Sequence, residues 1–209
     1  MGGIRGQEAA GEHRIRIATH ADLDGLVEVI ALAFLGDPAW GWVFADESSR
    51  LADFRRWWGL FVESGLRYPN TWISGDMAAV ALWIPPGGTE LTHDEEESIE
   101  VLLGELIGTH RVPDAMASLD SFERARPREE PHYYLSLLAT HPDHRGQGVG
   151  MDLLRANLAQ VDQEHLPAYL ESTNPANDKR YTSVGFAAIG SFQMTQDGPT
   201  VTAMWRDAR

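Results

Sequence analysis

Apolar residues of this chain follow two rhythms. Leu23, Leu26, Val27, Ile30, Ala31 and Phe34 recur at three- and four-residue steps, the spacing of one helix face. Thr19 or Asp22 supplies an N-cap for that helix, and Gly36-Asp37-Pro38 stops it. Residues 14–18, ahead of it, alternate charged and apolar side chains and read as an opening strand. A loop with Trp40, Trp42 and Phe44 follows, and then a second helix over residues 48–66 that carries Trp57, Trp58 and Phe61. Residues 71–74 and 77–84 read as two strands around the hairpin signal Gly75-Asp76, and Pro85-Pro86-Gly87-Gly88 ends the second. Residues 92–107 and 114–125 read as helices, the latter ended by Pro127.

In the second half, residues 133–139 form an apolar run that predicts a central strand, and residues 151–161 return to helical spacing. Residues 168–171 read as a buried strand and residues 175–183 as a short helix stopped by Gly185-Phe186. Residues 186–194 and 200–205 complete a hairpin about Asp197-Gly198-Pro199. The order β-α-α-β-β-α-α-β-α-β-α-β-β predicts one mixed α/β domain over residues 14–209. Residues 1–13, rich in Gly, Ala and Glu, predict a disordered leader. Neither an internal repeat nor a linker divides the chain.

Composition narrows the functional classes. At 209 residues the chain suits one domain with a sizeable core. It has no apolar run of membrane-spanning length and no signal-peptide pattern, so no membrane partner is expected. The absence of cysteine excludes disulfides, thiolate metal sites and a cysteine nucleophile, and makes the cytoplasm the default compartment. A net charge of −14 argues against nucleic acid, and either draws cationic small substrates or serves only to keep the chain in solution. The acidic run Asp94, Glu95, Glu96, Glu97, Glu100 and Glu105 lacks the alternation and glycine turn of a calcium loop, reads as a solvated helix face, and leaves no metal site in prospect.

The chemistry concentrates at Arg145-Gly146-Gln147-Gly148-Val149-Gly150, between the central strand and the helix after it. A glycine turn there aims backbone N–H groups, at the positive end of a helix, toward one anion, and a pyrophosphate suits that geometry. The spacing lacks the Lys-Ser or Lys-Thr of a P-loop and breaks the Gly-x-Gly-x-x-Gly dinucleotide pattern. Downstream, Asn174 is followed seven residues later by Tyr181 and then by Gly185-Phe186.

The Arg-x-x-Gly-x-Gly loop and the Asn174–Tyr181–Gly185–Phe186 spacing together resemble the GNAT N-acetyltransferase superfamily. Over residues 14–206 the chain is most similar to puromycin-type N-acetyltransferases, through Ile17-Ala18-Thr19, Ala33-Phe34, Ala81-Leu82-Trp83, residues 136–150 and residues 168–186. The first half matches loosely. The resemblance implies a GNAT-like fold: a mostly antiparallel mixed sheet, helices on both faces and a splayed central strand pair. It also implies acetyl-CoA as co-substrate and a primary amine of a small molecule, antibiotic-like or a biosynthetic intermediate, as acceptor. Transfer to a protein lysine or N-terminus, and a non-catalytic acyl-CoA sensor, remain open, as does a monomer or a homodimer.

Residue roles follow in part from chemistry. A phenol with a pKa of ~10 is protonated near pH ~7 and can stabilise a departing thiolate of pKa ~8.5, and the resemblance gives Tyr181 that role. Backbone N–H groups around Leu138, Ala139 and Thr140 are expected to hold the oxyanion. Arg145, Gly146, Gln147, Gly148, Val149 and Gly150 are expected on the pyrophosphate, and Asn174 on the pantetheine arm or as the cap of the next helix. Glu171, at the end of a buried strand, is the candidate base or an orienting acceptor for the amine, with His132 and His141 as alternatives. Asp37, Trp40, Trp42 and Phe44 are expected either to receive the amine or to build the core. Either Tyr133 or Tyr134 faces the acceptor cleft, because strand side chains alternate, and Tyr133 is taken first.

Overall fold

A computed structural model describes residues 14–195 and 197–209 of the chain; the leader expected over residues 1–13 lies outside the described residues. Seven strands, β1 (Ile15–Ile17), β2 (Thr71–Ser74), β3 (Ala79–Ile84), β4 (Tyr133–Thr140), β5 (Ala168–Ser172), β6 (Ala187–Gln193) and β7 (Thr200–Arg206), form one sheet in the order β1-β2-β3-β4-β5-β7-β6. Every neighbouring pair is antiparallel except β4 and β5. The helices are α1 (Leu23–Phe34), α2 (Pro38–Val43), α3 (Arg50–Gly65), α4 (His93–Ile107), α5 (Val112–Ala125), α6 (Val149–Gln163) and α7 (Asp178–Thr182).

The element order is the expected one with an addition. The aromatic segment after Asp37, expected as a loop, is the six-residue helix α2. Asp37 Oδ1 accepts the Ala39 and Trp40 amides, and Pro38 occupies the first turn, where its missing N–H costs nothing. Gly36-Asp37-Pro38 therefore stops one helix and starts another. The hairpin before β3 is also longer than expected, because Met77 sits at φ 63 inside the turn and β3 begins only at Ala79.

β3 is buried along its whole length because both of its faces are covered. Val80, Leu82 and Ile84 pack with Leu26, Ile30, Phe54, Trp57 and Val62 of α1 and α3. Ala79, Ala81 and Trp83 pack with Leu153, Leu154 and Leu158 of α6. Each such leucine or valine contributes about 1.5–3 kcal/mol by leaving water. Trp83 Nε1 donates to Asn157 Oδ1 at 3.1 Å, which satisfies a polar atom inside the α6 layer.

Two irregularities open the sheet at its centre. Leu82 pairs with Leu137 and Trp83 with Leu135, so Ser136 is an extra residue, a bulge in β4. The alternation slips there: Tyr133 and Leu135 face α6, whereas Tyr134, Leu137 and Ala139 face α1 and α3. β4 and β5 then share only the pairs Tyr133–Ala168 and Tyr134–Tyr169 before they diverge, as the resemblance implied.

Candidate active site

A cavity of about 1180 Å³ occupies the divergence of β4 and β5. Its wall includes β4 from Tyr134 to Leu138 with Thr140, the residues Leu170 to Asn174, the glycine loop, Tyr181, and the inner sides of α4 and α5.

At one end lies the glycine loop. Gly146 and Gly148 have φ values of 78 and 83, a backbone region that side-chain-bearing residues avoid. Gly148 is the N-cap of α6, and no side chain caps that terminus. The first amides of a 15-residue helix therefore face the cavity, with Val149, Gly150 and Met151 on its wall. Gly150 also serves packing, since a Cβ there would stand 2.3 Å from Thr140 Oγ1, and its absence lets α6 close on β4. Arg145 Nη2 donates to the Ala33 carbonyl at 2.8 Å and ties the loop to α1. A cradle of unhindered amides at a positive helix end fits the pyrophosphate of a CoA thioester. Gln147 lies beside the cradle, not on the cavity wall, and its Nε2 donates to the Asp143 carbonyl at 3.2 Å.

At the other end lie carboxylates. Glu171 lines the cavity with its Oε1 enclosed and without a hydrogen-bond partner. Burial pushes this carboxyl up to about 7; Glu90 adds to the rise, and Arg126 and the Tyr134 and Tyr169 hydroxyls oppose it. Of the three base candidates, Glu171 alone is on the cavity wall. His132 stacks edge-on to Trp205 with centroids 5.2 Å apart, and His141 Nδ1 accepts the Asp143 amide at 3.3 Å.

Tyr181 also lines the cavity, partly buried and edge-on to Phe186. Burial, with Asp37 and Asp178 behind it, pushes its phenol up to about 12, so it is a neutral proton donor at ordinary pH. Asn174 Oδ1 accepts the Ala176 amide at 3.0 Å and caps the turn before α7, while its residue also lines the cavity.

The acceptor residues expected from sequence separate. Asp37 lines the cavity, but both of its oxygens are engaged, one by the α2 amides and one by Thr173 Oγ1 at 2.7 Å. Burial raises its pKa. Trp40 is on the wall and also in the core, edge-on to Trp58. Trp42 and Phe44 are off the wall. The Trp42 carbonyl accepts from Arg111, and Phe44 packs against Phe54 and Trp57.

Tyr133 is corrected. It faces α6, where its hydroxyl donates to Glu164 at 3.0 Å, and the tyrosine on the cavity is Tyr134. Of the three backbone amides expected on the oxyanion, that of Ala139 points to β3, on the side where the His141 amide donates to the Ala78 carbonyl, and those of Leu138 and Thr140 point the other way, toward the gap.

Sequence reasoning missed Glu90, Arg126 and Ser136. Arg126 Nη2 meets Glu90 at 2.8 Å, its Cζ stands 4.1 Å over the Tyr134 ring, and Ser136 Oγ donates to Glu90 at 2.5 Å. Pro127 was the available signal, since it fixes where Arg126 leaves α5.

The Acetyltransferase (GNAT) family model matches residues 48–186. Among solved structures, the chain is similar to the Corynebacterium glutamicum histone acetyltransferase HPA2 and related acetyltransferase, at 25% identity, TM-score 0.70, over 95% of this chain and 98% of that one. Arylalkylamine N-acetyltransferase 2 from Aedes aegypti shares the fold at 13% identity and TM-score 0.63, over 95% of this chain and 100% of that one. An agmatine N-acetyltransferase does so at 11% identity and TM-score 0.65, over 94% of this chain and 100% of that one. With the matched segment covering the glycine loop, Glu171 and Tyr181, the chain belongs to the GNAT acetyltransferase family.

Proposed function

We propose that the protein transfers an acetyl group from acetyl-CoA to the primary amine of a small molecule, antibiotic-like or a biosynthetic intermediate. The observation that carries this reading is a cavity with an anion cradle at one end and an enclosed carboxylate at the other. In this reading the amides at Gly146, Gly148, Val149 and Gly150 hold the pyrophosphate, with Arg145 fixing the loop. Asn174 and the backbone at Leu138 and Thr140 hold the pantetheine arm and the thioester carbonyl. The thioester supplies an activated acyl group and a thiolate leaving group.

The protein's own groups then manage protons. Glu171 takes the proton from the amine, directly or through water, which a carboxyl raised to about 7 does without a large penalty in either direction. Tyr181 delivers a proton at the sulfur side, which a phenol held at about 12 still carries at neutral pH. Phe34, Trp40, Phe61, Leu119 and Phe122 along the wall suit an amine with an apolar body. Enclosure by α4 and α5 favours a small acceptor over a protein chain.

Mixing the protein with acetyl-CoA and a panel of amines, and following free thiol, tests the reading. Thiol release that depends on a small apolar amine, with an acetylated product by mass, supports it. A mass shift on added protein alone selects a protein acceptor, and calorimetric acetyl-CoA binding without turnover selects a sensor.

A further inference from the structure

Arg126 is placed by its neighbour. A proline disfavours helical backbone in the residue before it, and Arg126, ahead of Pro127, leaves α5 with ψ 127. Its guanidinium reaches Glu90 at 2.8 Å and Glu123 at 3.1 Å, and lies over Tyr134. Ser136, the bulge residue of β4, secures Glu90 from the other side. Arg126 Nε and Glu171 Oε1 are each enclosed without a hydrogen-bond partner. Glu90, Arg126, Tyr134 and Ser136 are therefore linked by direct contacts, and with Glu171, which is within electrostatic reach of Arg126, they line one cavity.

The charged and titratable groups that act on Glu171 are Arg126 from α5, Glu90 from the segment after β3, Tyr134 from β4 and Tyr169 from β5. Glu123 of α5 stands behind Arg126. Arg126 supplies the positive charge among them. It opposes the effect of burial on the carboxyl, and Glu90 reinforces that effect. Such a pair, shielded from water, acts on a neighbour far more strongly than an exposed ion pair does.

We propose that Arg126 is a positioning residue for the acyl transfer: held by Glu90 over Tyr134, it keeps the Glu171 carboxylate able to receive the amine's proton at neutral pH. Glu90 sets how much of that positive charge Glu171 feels. The inference rests on Glu171 being the proton acceptor.

The test is the pH profile of kcat at saturating acetyl-CoA and one accepted amine, for four variants. Arg126→Met removes the opposing charge and moves the acidic limb up by about 1–3 pH units, the range of an opposite charge at close contact. Arg126→Lys returns it most of the way. Glu90→Gln removes a like charge and moves the limb down. The opposite signs separate this role from a structural one, since damage to the fold lowers the rate at every pH and leaves the midpoint in place. A limb that stays put in Glu90→Gln and in a folded Arg126→Met overturns the proposal. Glu171→Gln that retains wild-type rate and profile overturns the reading of Glu171 beneath it. If Arg126→Met fails to fold by near-ultraviolet circular dichroism, Arg126→Gln takes its place among the four with the same upward shift expected, and a folded Arg126→Gln that leaves the midpoint where it is in wild type overturns the proposal.

Discussion

Thr173 Oγ1 donates to Asp37 Oδ2 at 2.7 Å, which joins the residue after β5 to the N-cap of α2. The other oxygen of Asp37 holds the Ala39 and Trp40 amides, so a single carboxylate fixes both the start of α2 and the end of β5. Asp37→Ala loses both links and is expected to destabilise the protein by about 2 kcal/mol, roughly half from the cap and half from the hydroxyl bond. Asp37→Asn keeps a cap oxygen and falls between wild type and Ala. Urea unfolding with a constant slope checks the order.

Tyr181→Phe deletes one oxygen from a partly buried ring and leaves its contact with Phe186 in place. It is expected to lower kcat by about 10²–10⁴-fold, the usual range for one proton-transfer group. The dissociation constant for acetyl-CoA, measured by calorimetry, is expected to stay within about twofold, because a lost proton donor at the sulfur side acts on the reaction and leaves ground-state binding alone. Equal kcat removes Tyr181 from the chemistry.

Glu171 also ties stability to pH. Its carboxyl lies near 4.5 when unfolded and is raised to about 7 in the folded chain. A raised acid holds its proton longer in the native state, so the folded protein binds more protons between those two values. Its contribution is neutral below about 4.5, turns unfavourable as pH rises toward 7, and is fully unfavourable above 7. Glu171→Gln is therefore expected to gain stability over wild type at pH ~8, on the order of 3 kcal/mol at most, and to match it at pH ~4. Chemical denaturation at the two pH values checks the sign.

Gly150→Ala places a methyl 2.3 Å from Thr140 Oγ1 and pushes the first turn of α6 off β4. Acetyl-CoA affinity is expected to fall at least about tenfold, a shift worth about 1.4 kcal/mol. Thr140→Ala in the same chain removes the colliding oxygen; the Cβ of Thr140 stands 3.7 Å away, an ordinary contact. Titration calorimetry on the single and double variants checks whether affinity returns.

The part of the site carried by local pattern was legible in the sequence. A glycine turn between an apolar strand and a helical repeat predicts an anion cradle without knowledge of any distant contact, and Asn174 and Tyr181 were picked out by the family resemblance that their spacing to Gly185-Phe186 carries. At the acceptor end Glu171 was named from the sequence, but its neighbours were not, because residues 90, 126 and 136 are brought to the cavity from separate parts of the chain. Strand alternation alone gives Tyr133 and Tyr134 equal standing, and only the packing of α6 against one face decides between them. The bulge at Ser136 then shifts the alternation again, in a run of sequence with no glycine or proline to mark it. α2 was hidden for another reason: at six residues it is too short to show a period, and its tryptophans read equally as loop or core.

Two residue pairs are all that β4 and β5 share. In the rest of the sheet the distance between neighbouring strands is set by a backbone ladder, which a side-chain substitution scarcely alters. Past Tyr134 and Tyr169 that ruler is missing. The width of the gap falls to side-chain links such as the Thr173–Asp37 bond. The dimensions of the cavity are therefore tunable one side chain at a time, at a point in the sheet where the backbone does not fix them.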